Sequence, residues 1–189
     1  MELTQPRVMG LGTHHKTGTV WMQRVFRSMG RTLGIPCAQV FRKTADELVP
    51  EEGRIFLFSW STRFHESILA RPDTRIMHII RDPRDVLLSG MRYHQVCGEF
   101  GEKAIHMKRD DLGGRSYQEH ICSLPNDEEK LLFEMRERHA RTIGEMVAWD
   151  YTRPNVIELR YEALMQDRDA VAFTLHLRAL GLTVAEAEE

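Results

Sequence analysis

The sequence has no long run of apolar residues. Its apolar stretches, such as Ile55–Phe58, are a few residues long, whereas a helix needs roughly 20 apolar residues to cross a bilayer. The N-terminus also lacks the charged and then apolar layout of a signal peptide. We therefore expect a cytoplasmic protein with no membrane partner.

Basic residues are not concentrated in any one block either. The chain carries 26 lysine and arginine residues against 28 aspartate and glutamate residues, for a formal net charge of −2. Proteins that bind nucleic acid through their electrostatics present a broad basic surface. We therefore predict no nucleic-acid partner, although the composition is compatible with a local basic pocket.

Cysteine is scarce. The three cysteines, Cys37, Cys97 and Cys122, are odd in number and widely spaced, which favours reduced thiols over a disulfide framework. The nine histidines are scattered, without the C-x-x-C or H-x-x-x-H spacings that metal ligands adopt. We therefore predict no metal site.

The sequence does contain an alternation of apolar runs and helical patterns. Its 189 residues, 42% of them hydrophobic, are enough for one domain with a core. Alternating strands and helices favour right-handed βαβ units. We predict a single α/β domain over residues 1–189, with a parallel sheet flanked by helices on both faces and strands at Val8–Leu11, Ala38–Phe41, Arg54–Ser59, Arg75–Ile80 and Val156–Leu159.

The remaining segments are a loop and two helices. Residues 97–117 are rich in glycine and charge, which is typical of a lid or substrate loop, with disorder as the alternative. A long helix follows Pro125, with charged residues such as Glu134 and Arg138 predicted on its solvated face. A last helix is predicted from about Asp167 to Leu180.

The stretch Thr13–Trp21 (THHKTGTVW) lies between the first predicted strand and a helical pattern. The first N–H groups of a helix have no partner within it, and the helix dipole favours an anion there. Lys16 adds a positive charge, and the stretch includes a glycine and two threonines after it. A phosphate group fits this turn, although it lacks the G-x-x-x-x-G-K-[ST] pattern of a P-loop NTPase.

Arg81 directly follows the predicted strand Arg75–Ile80, before an Asp-Pro pair suited to a helix start. Ligands of open α/β sheets bind at the carboxyl ends of the strands, so we expect Arg81 to face the same crevice as Lys16. A surface ion pair is the alternative for Arg81. For Ser89, which lies within the following helix, the alternative is a small residue at a helix contact.

Three stretches, taken in order, resemble sulfotransferases that use 3′-phosphoadenosine 5′-phosphosulfate (PAPS). Thr13–Trp21 resembles the 5′-phosphosulfate loop of that family, T-Y-P-K-[ST]-G-T-T-W. Arg81 and Ser89, eight residues apart, resemble its 3′-phosphate site, and Arg160–Leu164 (RYEAL) resembles its [RF]-Y-E-D-[LM] segment near adenine. The order and spacing agree from Arg7 to about Leu182. The resemblance implies a sulfotransferase architecture that is similar to the P-loop NTPase fold.

The resemblance also implies a role for each matched residue. Lys16 would contact the oxygen between phosphate and sulfate and offset the charge of the leaving phosphate, as a preorganised cation does. The other implied roles are hydrogen-bond donors to the 5′-phosphate (Thr17, Gly18, Thr19, Val20), stacking on adenine (Trp21), binding of the 3′-phosphate (Arg81, Ser89) and a place near the base (Tyr161). For Trp21, a core aromatic is the alternative.

The sequence departs from the family in two places. Ser59 stands where the family commonly has a His or Glu general base, and among His65, Glu66 and His94 we select His65 for that role. Nothing after Leu182 matches the Arg-Lys-Gly turn that clamps the 3′-phosphate in the family. We therefore expect a C-terminally short version of the domain, either truncated or naturally short, or an open pocket with weak or no activity.

These features predict an enzyme that transfers a sulfuryl group from PAPS, without a metal, to a hydroxyl or amine of a small-molecule or glycan acceptor. One alternative is a P-loop-type small-molecule kinase, although Ser59 and Arg81 stand where such an enzyme needs a strand-end Asp for Mg²⁺. Another is a non-catalytic nucleotide-binding or scaffold relative. The sequence leaves the acceptor and the oligomeric state open.

Overall fold

The structure, a computed structural model, describes residues 5–188. These residues form two compact units, one of residues 5–81 with 148–188 and one of residues 82–147. The single domain expected over residues 1–189 stays a prediction. Compact units are defined by their contacts, whereas a domain is defined by its ability to fold as one unit. Within residues 5–188, no helix is both long enough and apolar enough to cross a membrane.

The elements alternate along the chain as the sequence predicts. The strands are β1 (Val8–Gly12), β2 (Cys37–Gln39), β3 (Ile55–Ser59), β4 (Thr74–Ile80), β5 (Lys108–Arg109), β6 (Arg115–Ser116) and β7 (Val156–Arg160). The helices are α1 (Thr19–Leu33), α2 (Ala45–Leu48), α3 (Glu66–Leu69), α4 (Pro83–Val96), α5 (Tyr117–Ser123), α6 (Asp127–Glu134), α7 (Ala140–Val147), α8 (Tyr161–Gln166), α9 (Val171–Leu180) and α10 (Val184–Glu188).

The first unit is built on a parallel sheet of five strands in the order β2-β3-β1-β4-β7. The central strand β1 pairs with β3 and β4, so that Gly12 lies opposite Ser59 on one side and His78 on the other. At the far edge, Ile80 at the end of β4 pairs with Arg160 of β7. The predicted parallel α/β sheet is confirmed, and its carboxyl edge gathers the segments that follow β1, β4 and β7.

Helices cover both faces of this sheet. Alternate strand residues, such as Met9 and Phe56, pack with α1, α8 and α9 in one buried cluster. Their neighbours in sequence, such as Val8 and Ile55, pack with α2 and α3 in another. Because side chains alternate between the faces of a strand, five short apolar strands supply both layers of the core.

The second unit differs from its predicted form. Residues 97–117, expected as a loop, contain the 3₁₀ turns Lys103–His106 and Asp110–Leu112 and the antiparallel pair β5–β6. The long helix after Pro125 is interrupted by a π-helix, Met135–His139, between α6 and α7. Glu134, predicted on the solvated face, is instead 1% exposed. That prediction was wrong because hydrogen bonds with His94 and Tyr117 offset the cost of burying the carboxylate.

The C-terminal helices differ from the prediction. The segment that resembles the adenine-pocket motif is helical after Arg160, since α8 begins at Tyr161. The helix predicted from about Asp167 to Leu180 is α9, which begins later, at Val171, after Ala170 at φ 54°. Tyr161 therefore stands at the first position of a short helix that the sequence did not predict.

Candidate functional site

The turn from β1 into α1 is fixed by hydrogen bonds within itself. The N–H of His14 donates to Oγ1 of Thr17 over 2.9 Å, and that hydroxyl donates back to the carbonyl of His14 over 3.0 Å. The N–H of Thr17 also donates to this carbonyl, over 3.2 Å. Lys16 adopts φ 65°, which is uncommon for a residue with a Cβ. Both polar groups of Thr17 therefore shape the loop.

The N-terminus of α1 is open to a ligand. Gly18 is its N-cap, at φ 94°, and within residues 5–188 no side chain caps the helix and no acidic residue lies in its first turn. The first N–H groups of this helix therefore stay available to an anion. Val20 and Trp21 are 65% and 43% exposed, so the alternative that Trp21 is a core aromatic is wrong.

Arg81 joins the second predicted motif to the first. Its Nη1 donates to the carbonyl oxygen of Lys16 over 2.9 Å. Its Nε is buried and has no hydrogen-bond partner within residues 5–188, and in that part of the chain it forms no ion pair with a carboxylate. The alternative of a surface ion pair for Arg81 is therefore wrong. A buried guanidinium N–H left unsatisfied is a donor that a bound anion can use.

Tyr161 joins the third predicted motif to the other two. The guanidinium carbon of Arg81 lies 4.4 Å from the centroid of the Tyr161 ring, a cation–π contact. The same ring covers Gly18 so closely that a Cβ there would stand 3.0 Å from Cε2 of Tyr161. The structure therefore brings Lys16, Gly18, Arg81 and Tyr161 together at the carboxyl edge of the sheet.

The roles of two further residues, Ser89 and His65, stay predictions. Ser89 is half-buried on α4, in the second compact unit, and its grouping with Arg81 stays a prediction. His65 is exposed and caps α3, because its Nδ1 accepts the N–H of Ser67 over 3.1 Å. The contacts that the structure describes for His65 keep it at the start of α3, and its role as general base stays a prediction.

Sequence reasoning missed a network beside the loop that runs from the buried His14 and His78 to the partly exposed Glu158. Nε2 of His14 lies 2.9 Å from Nε2 of His78, and Nδ1 of His78 lies 2.6 Å from Oε2 of Glu158. Nε1 of Trp149 donates to the other oxygen of that carboxylate over 3.0 Å, and Oγ1 of Thr62 lies 3.2 Å from Nε2 of His14. The sequence contained one signal, a histidine two residues after β1 and another inside the buried strand β4.

The second unit holds its own buried polar cluster. Nδ1 of His94 lies 2.7 Å from Oε2 of Glu134, and the hydroxyl of Tyr117 donates to the same oxygen over 2.7 Å. Burial alone would lower the pKa of His94, but its hydrogen bonds to Glu102 and Glu134 raise the pKa above its ordinary value. His94, weighed as a candidate base from the sequence, is 0% exposed within this cluster.

Comparison with known proteins supports the fold. The chain is similar to the mouse sulfotransferase SULT7A1 complexed with PAP, with a TM-score of 0.55 and 15% sequence identity. The similarity covers 100% of this chain and 63% of that chain. No protein-family model and no curated protein matches the sequence. At 15% identity the likeness concerns the fold alone, a helix-flanked parallel sheet that this chain shares with a sulfotransferase.

Proposed function

We propose that this chain is a sulfotransferase that moves a sulfuryl group from PAPS to a hydroxyl or amine. One observation carries the proposal, the meeting of three separate motifs around the Arg81 side chain. Its guanidinium donates to the carbonyl of Lys16 and stacks on Tyr161, whose ring covers Gly18. The strand order places the ends of β1, β4 and β7 side by side, and the contacts of Arg81 join the three motifs there.

The residues present fit a nucleotide with phosphates at both ends. The uncapped N-terminus of α1 and the half-buried Lys16 would receive the 5′-phosphosulfate. The buried Nε of Arg81 would donate to the 3′-phosphate, with Ser89 as its second partner. Trp21, exposed beside this helix end, and Tyr161 offer ring faces to adenine.

PAPS would supply an activated sulfuryl group whose departure leaves negative charge on a phosphate oxygen. Lys16 would hold that charge as a cation already in place, which is the electrostatic form of catalysis. An alcohol acceptor also needs a group that removes its proton, and His65 is the proposed base. The reaction as proposed uses no metal, because Lys16 and the helix end provide the positive charge.

The wider setting of the enzyme is part of the same proposal. The acceptor would be a small molecule or a glycan, and the protein would act in the cytoplasm without nucleic acid or membrane. The presence of PAP in the complex of the similar mouse protein supports a nucleotide that carries a 3′-phosphate over ATP.

Replacing Lys16 tests the proposed role directly. Lys16→Ala should reduce transfer from radiolabelled PAPS to a panel of phenols, alcohols and amines by about 10²- to 10³-fold, the usual cost of losing one preorganised charge. Lys43→Ala removes an exposed lysine outside the site and serves as the matched control. Circular dichroism should show the same folded content in both variants.

Calorimetry with PAP and an assay for ATP hydrolysis separate the alternatives. Binding of PAP together with sulfated product supports the enzyme. Binding of PAP without product from any acceptor supports a non-catalytic relative, and Mg²⁺-dependent ATP turnover supports a kinase. Transfer by Lys16→Ala at the wild-type rate would overturn the role of Lys16.

A further inference from the structure

The amino edge of the sheet carries a pocket that the proposed reaction does not use. Its volume is about 370 Å³, and it lies within the first unit, between residues 69–75, which lead into β4, and residues 153–155, which precede β7. Small-molecule sites in proteins have volumes from about 300 Å³ upwards. Lys16 and Arg81 lie at the opposite, carboxyl edge, and the length of β4 places Arg75 about 20 Å from Arg81. The pocket is therefore separate from the candidate site.

The walls of this pocket are rigid. Each of the two segments contributes an Arg-Pro pair, Arg71–Pro72 and Arg153–Pro154, and a proline fixes its own φ and restricts the residue before it. Asn155 joins the segments, because its Nδ2 donates to the carbonyl of Leu69 over 2.9 Å and its own carbonyl accepts the N–H of Ile76 over 2.9 Å. A ligand would therefore enter a pocket that is already formed, at a small entropic cost.

Three arginines line the pocket, and none of the described residues that line it is acidic. Two of them are oriented by carboxylates outside the lining. Nε and Nη2 of Arg71 donate to Asp73 over 2.9 and 2.7 Å, and Nη1 and Nη2 of Arg153 donate to Glu66 over 3.2 and 2.9 Å. Asp150 lies 3.6 Å from Nε of Arg153. Because a guanidinium carries five N–H groups, these pairs fix its direction and still leave donors for a ligand.

The third arginine, Arg75, has no carboxylate partner within residues 5–188. Its Nη1 donates to the carbonyls of Pro72 and Thr74 over 3.3 and 2.9 Å. Its Nε and Nη2 form no hydrogen bond in that part of the chain, so they are available to a ligand. Guanidinium groups match the geometry of carboxylate, sulfate and phosphate oxygens. An oxyanion in the pocket would therefore balance the charge of Arg75 and use the remaining donors of all three arginines.

The rest of the lining is apolar apart from Asn155, since Leu69, Ala70 and the two prolines complete it. A ligand that fills the pocket would need an apolar part as well as a charge. We propose that this pocket is a second binding site, for a small organic anion in which a phosphate, sulfate or carboxylate group is attached to a compact apolar body. This proposal does not depend on the proposed function.

Nuclear magnetic resonance of the isotope-labelled protein can follow this pocket separately from the rest of the chain. Phenyl phosphate is the probe, and the Nε–H signals of Arg71, Arg75 and Arg153 report its contact with the guanidinium groups. These signals should shift and saturate with a dissociation constant of about 1 mM or lower. Inorganic phosphate lacks the ring and benzyl alcohol lacks the charge, so each should bind at least about tenfold more weakly.

Two pairs of variants test the charge in the pocket. Arg75→Met should raise the dissociation constant of phenyl phosphate by about 10- to 150-fold, the equivalent of one charge-assisted hydrogen bond. Its matched control is Arg178→Met, which removes an exposed arginine of α9 and should change the constant by less than about twofold. Ala70→Glu brings a carboxylate to the pocket wall and should weaken binding by about tenfold or more, whereas the neutral Ala70→Gln should weaken it much less.

Saturating PAP should leave the affinity for phenyl phosphate at these signals within about twofold, because the two sites lie at opposite edges of the sheet. The proposal is overturned by signals that do not saturate, by displacement of phenyl phosphate by PAP, or by equal affinities of Arg75→Met and Arg178→Met. If Arg75→Met does not fold, the exposed Ala70 decides, and equal effects of its two variants would refute the charge argument. Wild-type protein that never binds PAP would refute the proposed function, while the titration with phenyl phosphate would still test this pocket.

Discussion

Replacing Arg81 with methionine should separate nucleotide binding from stability. The change removes the hydrogen bond to the Lys16 carbonyl and the stacking on Tyr161, which together stabilise the fold by about 1–3 kcal/mol. It also removes the buried Nε that has no partner within residues 5–188, and such an unsatisfied group costs about 1–3 kcal/mol. Because these effects oppose each other, the free energy of unfolding should change by about 1 kcal/mol or less.

The effect on nucleotide binding should be larger. A charge-assisted hydrogen bond contributes about 1.5–3 kcal/mol, so loss of one guanidinium contact to the 3′-phosphate should raise the dissociation constant of PAP by about 10- to 150-fold. Arg81→Lys keeps the charge but not the planar guanidinium, so its dissociation constant for PAP should lie between those of the wild type and Arg81→Met. Affinity is measured by calorimetry and the free energy of unfolding by urea denaturation.

Arg75→Met is the matched control for this experiment. Like Arg81, Arg75 belongs to the first unit and donates to backbone carbonyls. Arg75 lies in β4, and its partners are the carbonyls of Pro72, at 3.3 Å, and Thr74, at 2.9 Å. It stands at the opposite end of the strand from Arg81, so the affinity for PAP should not change. The reasoning fails if Arg81→Met binds PAP within about twofold of wild type, or if it loses about 3 kcal/mol or more of stability.

Two further substitutions test the packing and the buried cluster. Gly18→Ala should lower the free energy of unfolding, measured by urea denaturation, by about 1–2 kcal/mol, because φ is 94° and Tyr161 blocks the Cβ. Gly34→Ala, at φ 65° with open space around it, should lower it by less. Equal losses would show that the clash with Tyr161 contributes nothing. The raised pKa of His94 means that its stabilising contribution is complete below about pH 6.5 and is lost as the pH rises through that higher pKa. His94→Gln should therefore remove this decline in the free energy of unfolding above about pH 6.5, and a decline that persists would assign it to another group.

Much of the fold follows from local signals in the sequence. Short apolar runs become β1, β3 and β4 because strands buried on both faces need apolar residues at every position. Asp82 does cap α4, since its side chain accepts the N–H of Arg84 over 2.9 Å. Lys16 and Arg81 follow two such strands, and parallel strands bring their carboxyl ends to one edge. That much of the candidate site could be predicted.

The remainder of the site depends on the order of the strands. His14 and His78 are 64 positions apart, and they meet because β1 and β4 are neighbours in the sheet. Nothing in either segment indicates which strand its neighbour will be. The hydrogen bond of Thr17 within the loop could not be predicted either, because a threonine hydroxyl can donate to a backbone carbonyl or to a ligand.

After Pro125 the residues Leu132, Met135, Ile143 and Met146 recur at the spacing of one helix face, and the π-helix between α6 and α7 explains why they do not share one buried face. A π turn holds about one residue more than an α turn, which rotates everything after it by roughly 100° around the axis. Before the turn, Leu132 is 38% exposed, whereas after it Met146 is 7% exposed, although both belong to this series. Deleting one residue within Met135–His139 would realign the two halves and turn Arg138 away from Glu102, its present partner. In this segment the number of residues matters as much as their identity.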